Sequence, residues 1–165
     1  MKATTVLPFL ALLGLMTFSS CSTEEFPEDN INNIALIEAP APKEIEIEIL
    51  ERINQYRISK GLSALNNLNV VKSVAFSHTD YMVEINRVNH DNFFQRKLSL
   101  EQNAKATRVS ENVAYAYSSA QSVVNAWINS DAHRANIEGD FTDFEVSAEQ
   151  NAEGKWYYTN IFIKR

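Results

Sequence analysis

The sequence predicts an α+β domain in which helices come first and an antiparallel β-hairpin comes last. Apolar residues recur with helical periodicity through residues 43–60 and 67–87. The C-terminal residues 144–163 instead alternate in polarity and then become rich in aromatic and β-branched side chains. Helices followed by strands that a tight turn joins are typical of an α+β fold with an antiparallel sheet.

The first predicted helix covers residues 43–60. Its apolar residues share one helical face at spacings of four, four and three: Ile45, Ile49, Ile53 and Tyr56. Residues 44–49 also alternate Glu and Ile as a strand would, but the helical match is longer and decides the assignment. Gly61 follows as the C-terminal stop.

The second predicted helix covers residues 67–87, and its apolar stripe comprises Val71, Val74, Ala75, His78, Met82 and Ile85. Because His78 lies on this stripe, we interpret it as a hydrogen-bonded core residue rather than a ligand. The polar segment from Asn89 to Asn92, which contains His90, ends the pattern.

Three further helical segments are predicted from capping signals. Ser99-Leu100-Glu101-Gln102 reads as a capping box that begins a short third helix. Ser118-Ser119-Ala120-Gln121 repeats that signature before a fourth helix with Val123, Val124, Trp127 and Ile128. Ser130 is positioned to cap a last short turn through His133 to Asn136.

The predicted strands lie near the C-terminus. Residues 144–149 alternate in polarity, and residues 155–163 are rich in aromatic and β-branched side chains. Between them, residues 151–154 end in Gly154 and suit a hairpin loop. Residues 113–117 are interpreted as a third short strand.

The N-terminus has the features of a secretion signal. Lys2 precedes an apolar run over residues 6–16, which is shorter than the roughly 20 residues that span a bilayer. Ser19 and Ser20 lead into Cys21, an arrangement that resembles a bacterial lipobox, where the thiol is lipidated. The alternatives are a free thiol after an ordinary signal peptide and a buried N-terminal helix. We therefore predict a signal peptide over residues 1–20, a lipidated acidic spacer over 21–42 and a domain over 43–165.

The charge is concentrated in the predicted spacer and first helix. Residues 22–51 hold nine acids and one lysine, whereas residues 52–165 hold twelve acids and thirteen Lys and Arg. This near-neutral domain leaves no basic stripe for nucleic acid. The acidic residues after Cys21 resemble export signals of some bacterial surface lipoproteins, which predicts a lipid-anchored envelope protein of the outer membrane, exposed at the surface. The alternative is a solvated acidic linker, which has the same composition. With no cysteine after Cys21, a hydrophobic core must stabilise the domain.

The order of several motifs resembles the CAP superfamily, which includes cysteine-rich secretory proteins, antigen 5 and pathogenesis-related 1 proteins. The resemblance covers residues 44–165. The matching motifs are Gly61-Leu62 with Leu65, Asn89-His90, Glu111-Asn112-Val113-Ala114, Trp127 with Ser130 and His133-Arg134-Ala135-Asn136-Ile137, and Tyr157-Tyr158-Thr159-Asn160.

The resemblance implies an α-β-α sandwich with an open cleft lined by two histidines and two acidic residues. Carried over by motif, the first histidine is His90, the first glutamate Glu111 and the second histidine His133. The second glutamate of the family falls on Ser130, so this chain departs from the full set of four. Asn112 and Arg134, at the periphery of the cleft, are interpreted as residues that hold the loops. The aromatic residues Trp127, Trp156 and Tyr158 are interpreted as core and sheet-face residues.

The predicted cleft admits two kinds of chemistry. His90, His133 and Glu111 could bind a divalent ion such as Zn²⁺ and leave a coordination position for water. They could equally form a hydrogen-bonded network in which Glu111 selects an imidazole tautomer. Ser130 beside His133 is interpreted as a helix cap rather than a nucleophile, and no catalytic residue is assigned.

Three functions are compatible with these features. The favoured hypothesis is a non-catalytic module, anchored to the membrane by lipid, that binds a lipid, glycan or protein partner through the cleft. The alternatives are a metal-dependent peptidase or esterase that uses His90, Glu111 and His133, and a structural envelope protein.

Overall fold

Five helices and four strands make up the part of the chain that the computed structural model describes, which is residue 1 and residues 37–165. In chain order they are α1 (Glu44–Ser59), β1 (Asn66–Asn67), α2 (Asn69–Glu84), α3 (Phe93–Ala104), β2 (Arg108–Tyr115), α4 (Ala120–Asn129), α5 (Asp131–Ile137), β3 (Asp143–Gln150) and β4 (Trp156–Lys164). Residues 2–20 of the predicted signal peptide, the predicted lipidation site Cys21 and most of the predicted spacer lie outside the described residues.

None of these described helices combines the length and the apolar character that a bilayer-spanning segment needs.

The strands form one mixed sheet in the order β1-β3-β4-β2. Strands β2 and β4 and strands β3 and β4 pair antiparallel, as predicted. Strand β1 adds a two-residue parallel pair, Asn66 with Asp143 and Asn67 with Phe144. The predicted hairpin is confirmed, and its turn has Gly154 at φ +73°, a left-handed conformation that glycine adopts without strain.

The sheet lies between two layers of helices, which confirms the α-β-α sandwich. On one face, α1 and α4 pack against the sheet through a core that includes Ile49, Ile53, Val123, Trp127, Phe144, Tyr158 and Phe162. On the other face, α2 and α3 pack through Val71, Val74, Ala75, Leu100, Ile161 and Ile163. Trp127 and Tyr158 are buried and Trp156 packs partly buried against the same core, as predicted.

The predicted start of the third helix at Ser99 is wrong. Helix α3 begins six residues earlier, after Asn92, which has a left-handed φ of 59°. Arg96, Leu100 and Ala104 follow one another at spacings of four and are all buried. Burial of this face keeps the chain helical through the predicted capping box, and Ser99 becomes a buried residue inside the helix.

Two other boundaries differ by smaller amounts. The N-cap of α4 is Ser119 rather than Ser118, and its hydroxyl accepts a hydrogen bond from the Ser122 backbone at 3.2 Å. Strand β2 starts earlier than the predicted residues 113–117 and ends at Tyr115, because Ala116 turns the chain with a φ of +64°. A positive φ at alanine is sterically unfavourable and breaks the strand conformation.

Candidate functional site: a cleft along strand β2

Glu111 lies on edge strand β2 with its side chain turned toward α2 and α3. It is 6 % exposed. Arg96 of α3 holds both carboxylate oxygens: Nε donates to Oε2 and Nη2 donates to Oε1, each at 2.8 Å. A two-pronged guanidinium–carboxylate pair fixes both orientation and charge. A buried cation, Arg96, therefore fixes the position of the Glu111 carboxylate independently of its contact with His90.

His90 reaches the same carboxylate from the loop between α2 and α3. Its Nδ1 lies 2.8 Å from Oε1 of Glu111, and 53 % of its side chain is exposed. Since an ionised carboxylate only accepts hydrogen bonds, Nδ1 carries the proton. The Nε2 atom of a neutral His90 is then a free acceptor.

His78 of α2 contacts the loop that carries His90. It is 3 % exposed, and its Nε2 lies 2.9 Å from the carbonyl oxygen of Asn89, the residue before His90. The same Nε2 is 3.9 Å from Oε1 of Glu111. The prediction that His78 is a hydrogen-bonded core residue is confirmed, and the contact with Asn89 shows that it positions the loop that carries His90.

The surroundings of Glu111 and His78 favour a charged carboxylate and a neutral imidazole. Burial acts to raise the pKa of Glu111, but hydrogen bonds from His90 and Arg96 outweigh it, and the pKa lies below its usual range. Burial lowers the pKa of His78, and the nearby charge of Arg96 lowers it further. At neutral pH the site therefore combines one buried negative charge, the Arg96 cation and a neutral His78.

His133 lies on α5, on the other side of β2. Its Nδ1 is 2.8 Å from the hydroxyl of Ser130. Ser130 occupies the N-cap position of α5, as predicted, but its side chain bonds this imidazole and not a helix amide. Burial lowers the pKa of His133, and the charge of His90 lowers it further.

A network of amides attaches α5 to β2. The side chain of Asn112 donates to the carbonyl of His133 at 3.1 Å. Asn136 donates to the side-chain oxygen of Asn112 at 2.8 Å and to the carbonyl of Glu111 at 3.2 Å. Arg134 donates to the carbonyl of Ile128 at 2.9 Å. Asn112 and Arg134 thus hold the segments that carry Glu111 and His133, as the sequence indicated.

The groove beside His133 has a volume of about 460 Å³ and a mixed wall. Its residues include Val88, Tyr115, Tyr117, Trp127, Ser130 and His133. Val88, Tyr115 and Tyr117 are 40 %, 38 % and 37 % exposed, so apolar and aromatic surface faces solvent beside the polar side chains. A separate, smaller hollow of about 250 Å³ is lined by His90, Phe93 and Glu111. His90 and His133 therefore line different hollows along β2, and the name β2 cleft covers both of them.

The described residues supply an incomplete ligand set for the predicted metal. With both Nδ1 atoms engaged, the Nε2 atoms of His90 and His133 are the available nitrogen ligands. Glu111 does not fit as a third, because Arg96 and His90 occupy its oxygens. Within residues 37–165, no group of three or more His, Cys, Asp or Glu side chains is arranged to hold a metal ion. The Zn²⁺ site therefore stays a prediction.

Arg96 is the residue of this site that the sequence motifs did not reveal. The available signal was its position on the buried face of α3, four residues before Leu100 and eight before Ala104. An arginine on an apolar helical face needs a buried anion or several acceptors. Here the anion is Glu111.

Comparisons with known proteins agree with the fold. An outer surface protein from Borrelia burgdorferi aligns with a TM-score of 0.67 at 19 % identity, over 78 % of this chain and 99 % of that one. An extracellular protein containing an SCP domain from Bacillus anthracis aligns with a TM-score of 0.63 at 25 % identity, over 73 % of this chain and 40 % of that one. A cysteine-rich secretory protein from Staphylococcus aureus aligns with a TM-score of 0.60 at 22 % identity, over 75 % and 41 %.

Sequence comparison identifies the family. The uncharacterized membrane protein YlbC of Bacillus subtilis is 33 % identical over 124 residues, which cover 73 % of this chain and 34 % of YlbC. The chain thus spans about a third of that relative. The model of the cysteine-rich secretory protein family, CAP, matches residues 50–162. These matches confirm the resemblance that the motifs indicated: the chain belongs to the cysteine-rich secretory protein (CAP) family.

Proposed function

We propose that this chain is an extracytoplasmic CAP module, held at the membrane by lipid on Cys21, that binds a ligand in the β2 cleft without catalysing a reaction on it. The observation that carries the proposal is the state of Glu111. Three of its four acceptor sites are used, two by Arg96 and one by His90, and its side chain is only 1 % exposed, so substrate and water do not reach the oxygens. A general base must have an oxygen free to take a proton from substrate or water. Glu111 instead orients His90.

The groove suits a ligand with both apolar and polar surface. Half-exposed tyrosines offer flat faces and hydroxyl groups, and His133 and Ser130 offer hydrogen bonds on the opposite wall. Of the three ligand classes, a glycan or a peptide segment fits this open, mixed wall better than an acyl chain, which would leave the imidazole and hydroxyl without partners.

The location rests on the N-terminus and on the relatives. Residues 1–21 have the pattern of a lipoprotein signal. The relatives described above include a membrane protein, an outer surface protein and an extracellular protein. Both observations support a domain displayed outside the cytoplasm on a lipid anchor.

The anchor is tested by mass spectrometry of the N-terminal peptide from membranes of expressing cells. We expect cleavage before Cys21 and a mass increase that matches acyl chains. Cys21→Ala should release the protein from the membrane fraction, and Ser22→Ala is the matched control that should not. An unmodified Cys21 in membrane-bound protein would contradict the anchor.

The cleft is tested by binding of the full chain to arrays of envelope glycans and peptides. We expect a His90→Ala, His133→Ala double variant to lose at least about ten-fold in affinity for any glycan or peptide that the wild type binds. Lys155→Ala, an exposed change on the hairpin turn, is the control. Binding that survives the double change, or no binding above background, would contradict the proposal.

A metal-dependent hydrolase is the second candidate, because the engaged Nδ1 atoms leave the Nε2 atoms of His90 and His133 available as ligands. Elemental analysis of purified protein tests it. Stoichiometric metal, together with a peptidase or esterase activity that a chelator abolishes, would favour this function over non-catalytic binding.

A further inference from the structure

A second cavity lies apart from the β2 cleft and shares none of its residues. Its volume is about 500 Å³, and it opens between the loop that follows α1 and the loop that joins α5 to β3. Its lining residues include Arg57, Ala64, Asn66, Glu138, Asp140 and Lys164. Cavities of this size hold small ligands.

The wall of this cavity contains a buried arginine. Arg57 of α1 is 3 % exposed. Its Nε donates to the carbonyl of Ser63 at 2.9 Å, and its Nη1 donates to the carbonyls of Ile137 and Gly139 at 2.5 and 3.0 Å. These bonds join the two loops and use three of the five guanidinium N–H groups. Among the described residues, the N–H groups of Nη2 have no hydrogen-bond acceptor.

The charge of Arg57 is not matched by a carboxylate. Within the described chain it makes no ion pair at 4.0 Å or less, whereas the other buried cations, Lys72 and Arg96, are paired with Glu46 and Glu111. Burial lowers the pKa of Arg57, and only the more distant charge of Asp140 opposes this effect. The carbonyl oxygens of Ser63, Ile137 and Gly139 accept hydrogen bonds from Arg57, but none of them carries the negative charge that would neutralise this buried cation.

The neighbouring acids are already engaged. Asp140 accepts from Nζ of Lys164 at 2.7 Å, and Glu138 accepts from the hydroxyl of Tyr56 at 2.6 Å. The hydrogen bond and charge of Lys164 lower the pKa of Asp140, so this acid is ionised at neutral pH. Two carboxylates on the rim disfavour a dianion such as a phosphate monoester, but they leave the Arg57 charge available to a single negative charge.

We infer that this cavity binds the carboxylate group of a small ligand, with Arg57 as its charged partner. The inner oxygen accepts from Nη2 of Arg57. The side-chain amide of Asn66 already donates to the carbonyl of Thr142 at 3.1 Å, and the ammonium of Lys164 already donates to Asp140, but each has a further hydrogen that can be donated to the outer oxygen. Guanidinium and carboxylate groups match in charge and in planar geometry. A uronic acid and a peptide C-terminus both carry this group.

The test is a titration of the ¹⁵N-labelled full-length chain, followed by NMR. The probes are D-glucuronate, N-acetylglycine and inorganic phosphate, with methyl glucuronate ester as the uncharged control. We expect the amide signals of Ser63, Ala64 and Gly139 to shift with one or both carboxylates and not with the ester. A response to glucuronate alone assigns a sugar acid, and a response to N-acetylglycine alone assigns a peptide C-terminus. Silence with both carboxylates, or tighter binding of phosphate than of either, overturns the inference.

Two variants separate binding from folding, because Arg57 also joins two loops and its loss could unfold the domain. Ala64→Trp places a large side chain at the exposed mouth of the cavity and leaves Arg57 intact. It should weaken carboxylate binding by about ten-fold or more. Ala152→Trp, on the exposed hairpin turn, is the matched control and should bind as wild type does. Equal binding by both variants would show that the carboxylate binds elsewhere.

Discussion

A buried glutamate paired with a buried cation lies at edge strand β2, and another lies along β3, which is an open edge beyond its two-residue pairing with β1. The two pairs differ in what they contact next. At the β3 edge, Glu46 lies 2.7 Å from Nζ of Lys72 and accepts from the backbone N–H of Ala148 at 2.7 Å. Lys72 donates to the carbonyl of Val146 at 2.8 Å. At the β2 edge, Glu111 contacts the side chains of Arg96 and His90.

The difference separates a structural ion pair from one that supports a site. Beyond its short pairing with β1, strand β3 would expose backbone groups, and Glu46 with Lys72 satisfies two of them. This arrangement blocks pairing with another strand. Glu111 accepts its hydrogen bonds from side chains, one of which, His90, opens to solvent. We therefore expect changes at the β3 edge to act on stability and changes at the β2 edge to act mainly on the cleft.

The largest change in stability is expected when the Lys72–Glu46 pair beside β3 is broken. Lys72→Met should lower the free energy of unfolding by about 3–5 kcal/mol, because the buried Glu46 would lose its near, buried cation and keep the more exposed Lys43, whose Nζ is 4.0 Å away. Urea denaturation measures this change. Lys155→Met, an exposed lysine on the hairpin turn, is the control and should change stability by less than about 0.5 kcal/mol. A loss of under about 1 kcal/mol for Lys72→Met would contradict a structural role for the pair.

Removing the charge at the β2 edge should have a smaller effect on stability. Glu111→Gln should cost about 2 kcal/mol, because Arg96 keeps a bond to the carbonyl of Asp91 at 2.6 Å and lines a surface hollow beside His78 and Asn92. The NMR signals of the His90 ring should also shift, since its Nδ1 loses its carboxylate acceptor. Unchanged His90 signals in a folded variant would show that Glu111 does not orient this imidazole.

A third test concerns backbone strain at Ala116, which lies beside the β2 cleft. Ala116 has a φ of +64° between Tyr115 and Tyr117, in a conformation that is unfavourable for alanine by roughly 1–2 kcal/mol. Ala116→Gly should raise the free energy of unfolding by about 1 kcal/mol and should increase the mobility of the two tyrosines. Urea denaturation and ¹⁵N relaxation measure the two effects. A destabilised variant would mean that the alanine conformation is unstrained.

The smallest expected effect concerns pH. Burial holds the pKa of folded His78 below its ordinary value of 6.5. The unfolded chain therefore binds more protons there as the pH falls below about 6.5, and stability decreases in that direction. His78→Gln keeps a side-chain donor for the Asn89 carbonyl but does not titrate. Between about pH 7 and about pH 5.5, its denaturation midpoint should fall less than that of wild type. Equal slopes would contradict a neutral, buried His78.

The sequence predicted the helices and strands best where a regular apolar pattern continues along the whole element. Strand β3 is nevertheless buried on both faces, since its polar residues Glu145 and Ser147 are buried as well. The stripe in residues 43–60 agrees with α1 at Glu44–Ser59, and the alternation from residue 144 agrees with β3. The start of α3 was wrong, because a local capping signal at Ser99 competed with burial of Arg96 against Glu111, fifteen residues away. Such a contact is invisible to a short window of sequence.

The candidate site was predicted in part. The motifs selected His90, Glu111 and His133, and the structure brings His90 into contact with Glu111 while His133 bonds Ser130. Arg96 was missed, and with it the reason that Glu111 is unavailable as a base or a third metal ligand. A carboxylate that appears free in a motif can be fully bound in space, because its partners come from other elements.

The order of elements, the alternation of the hairpin and the helical stripes were determined by the sequence alone, since burial of apolar residues at fixed periods depends only on neighbours along the chain. The tertiary structure decided what each buried charge does. Glu46 and Glu111 are both buried glutamates, yet one closes a sheet edge and the other holds a cleft histidine. The reason is physical: a buried charge is defined by the donors that surround it, and those donors come from segments that only folding brings together.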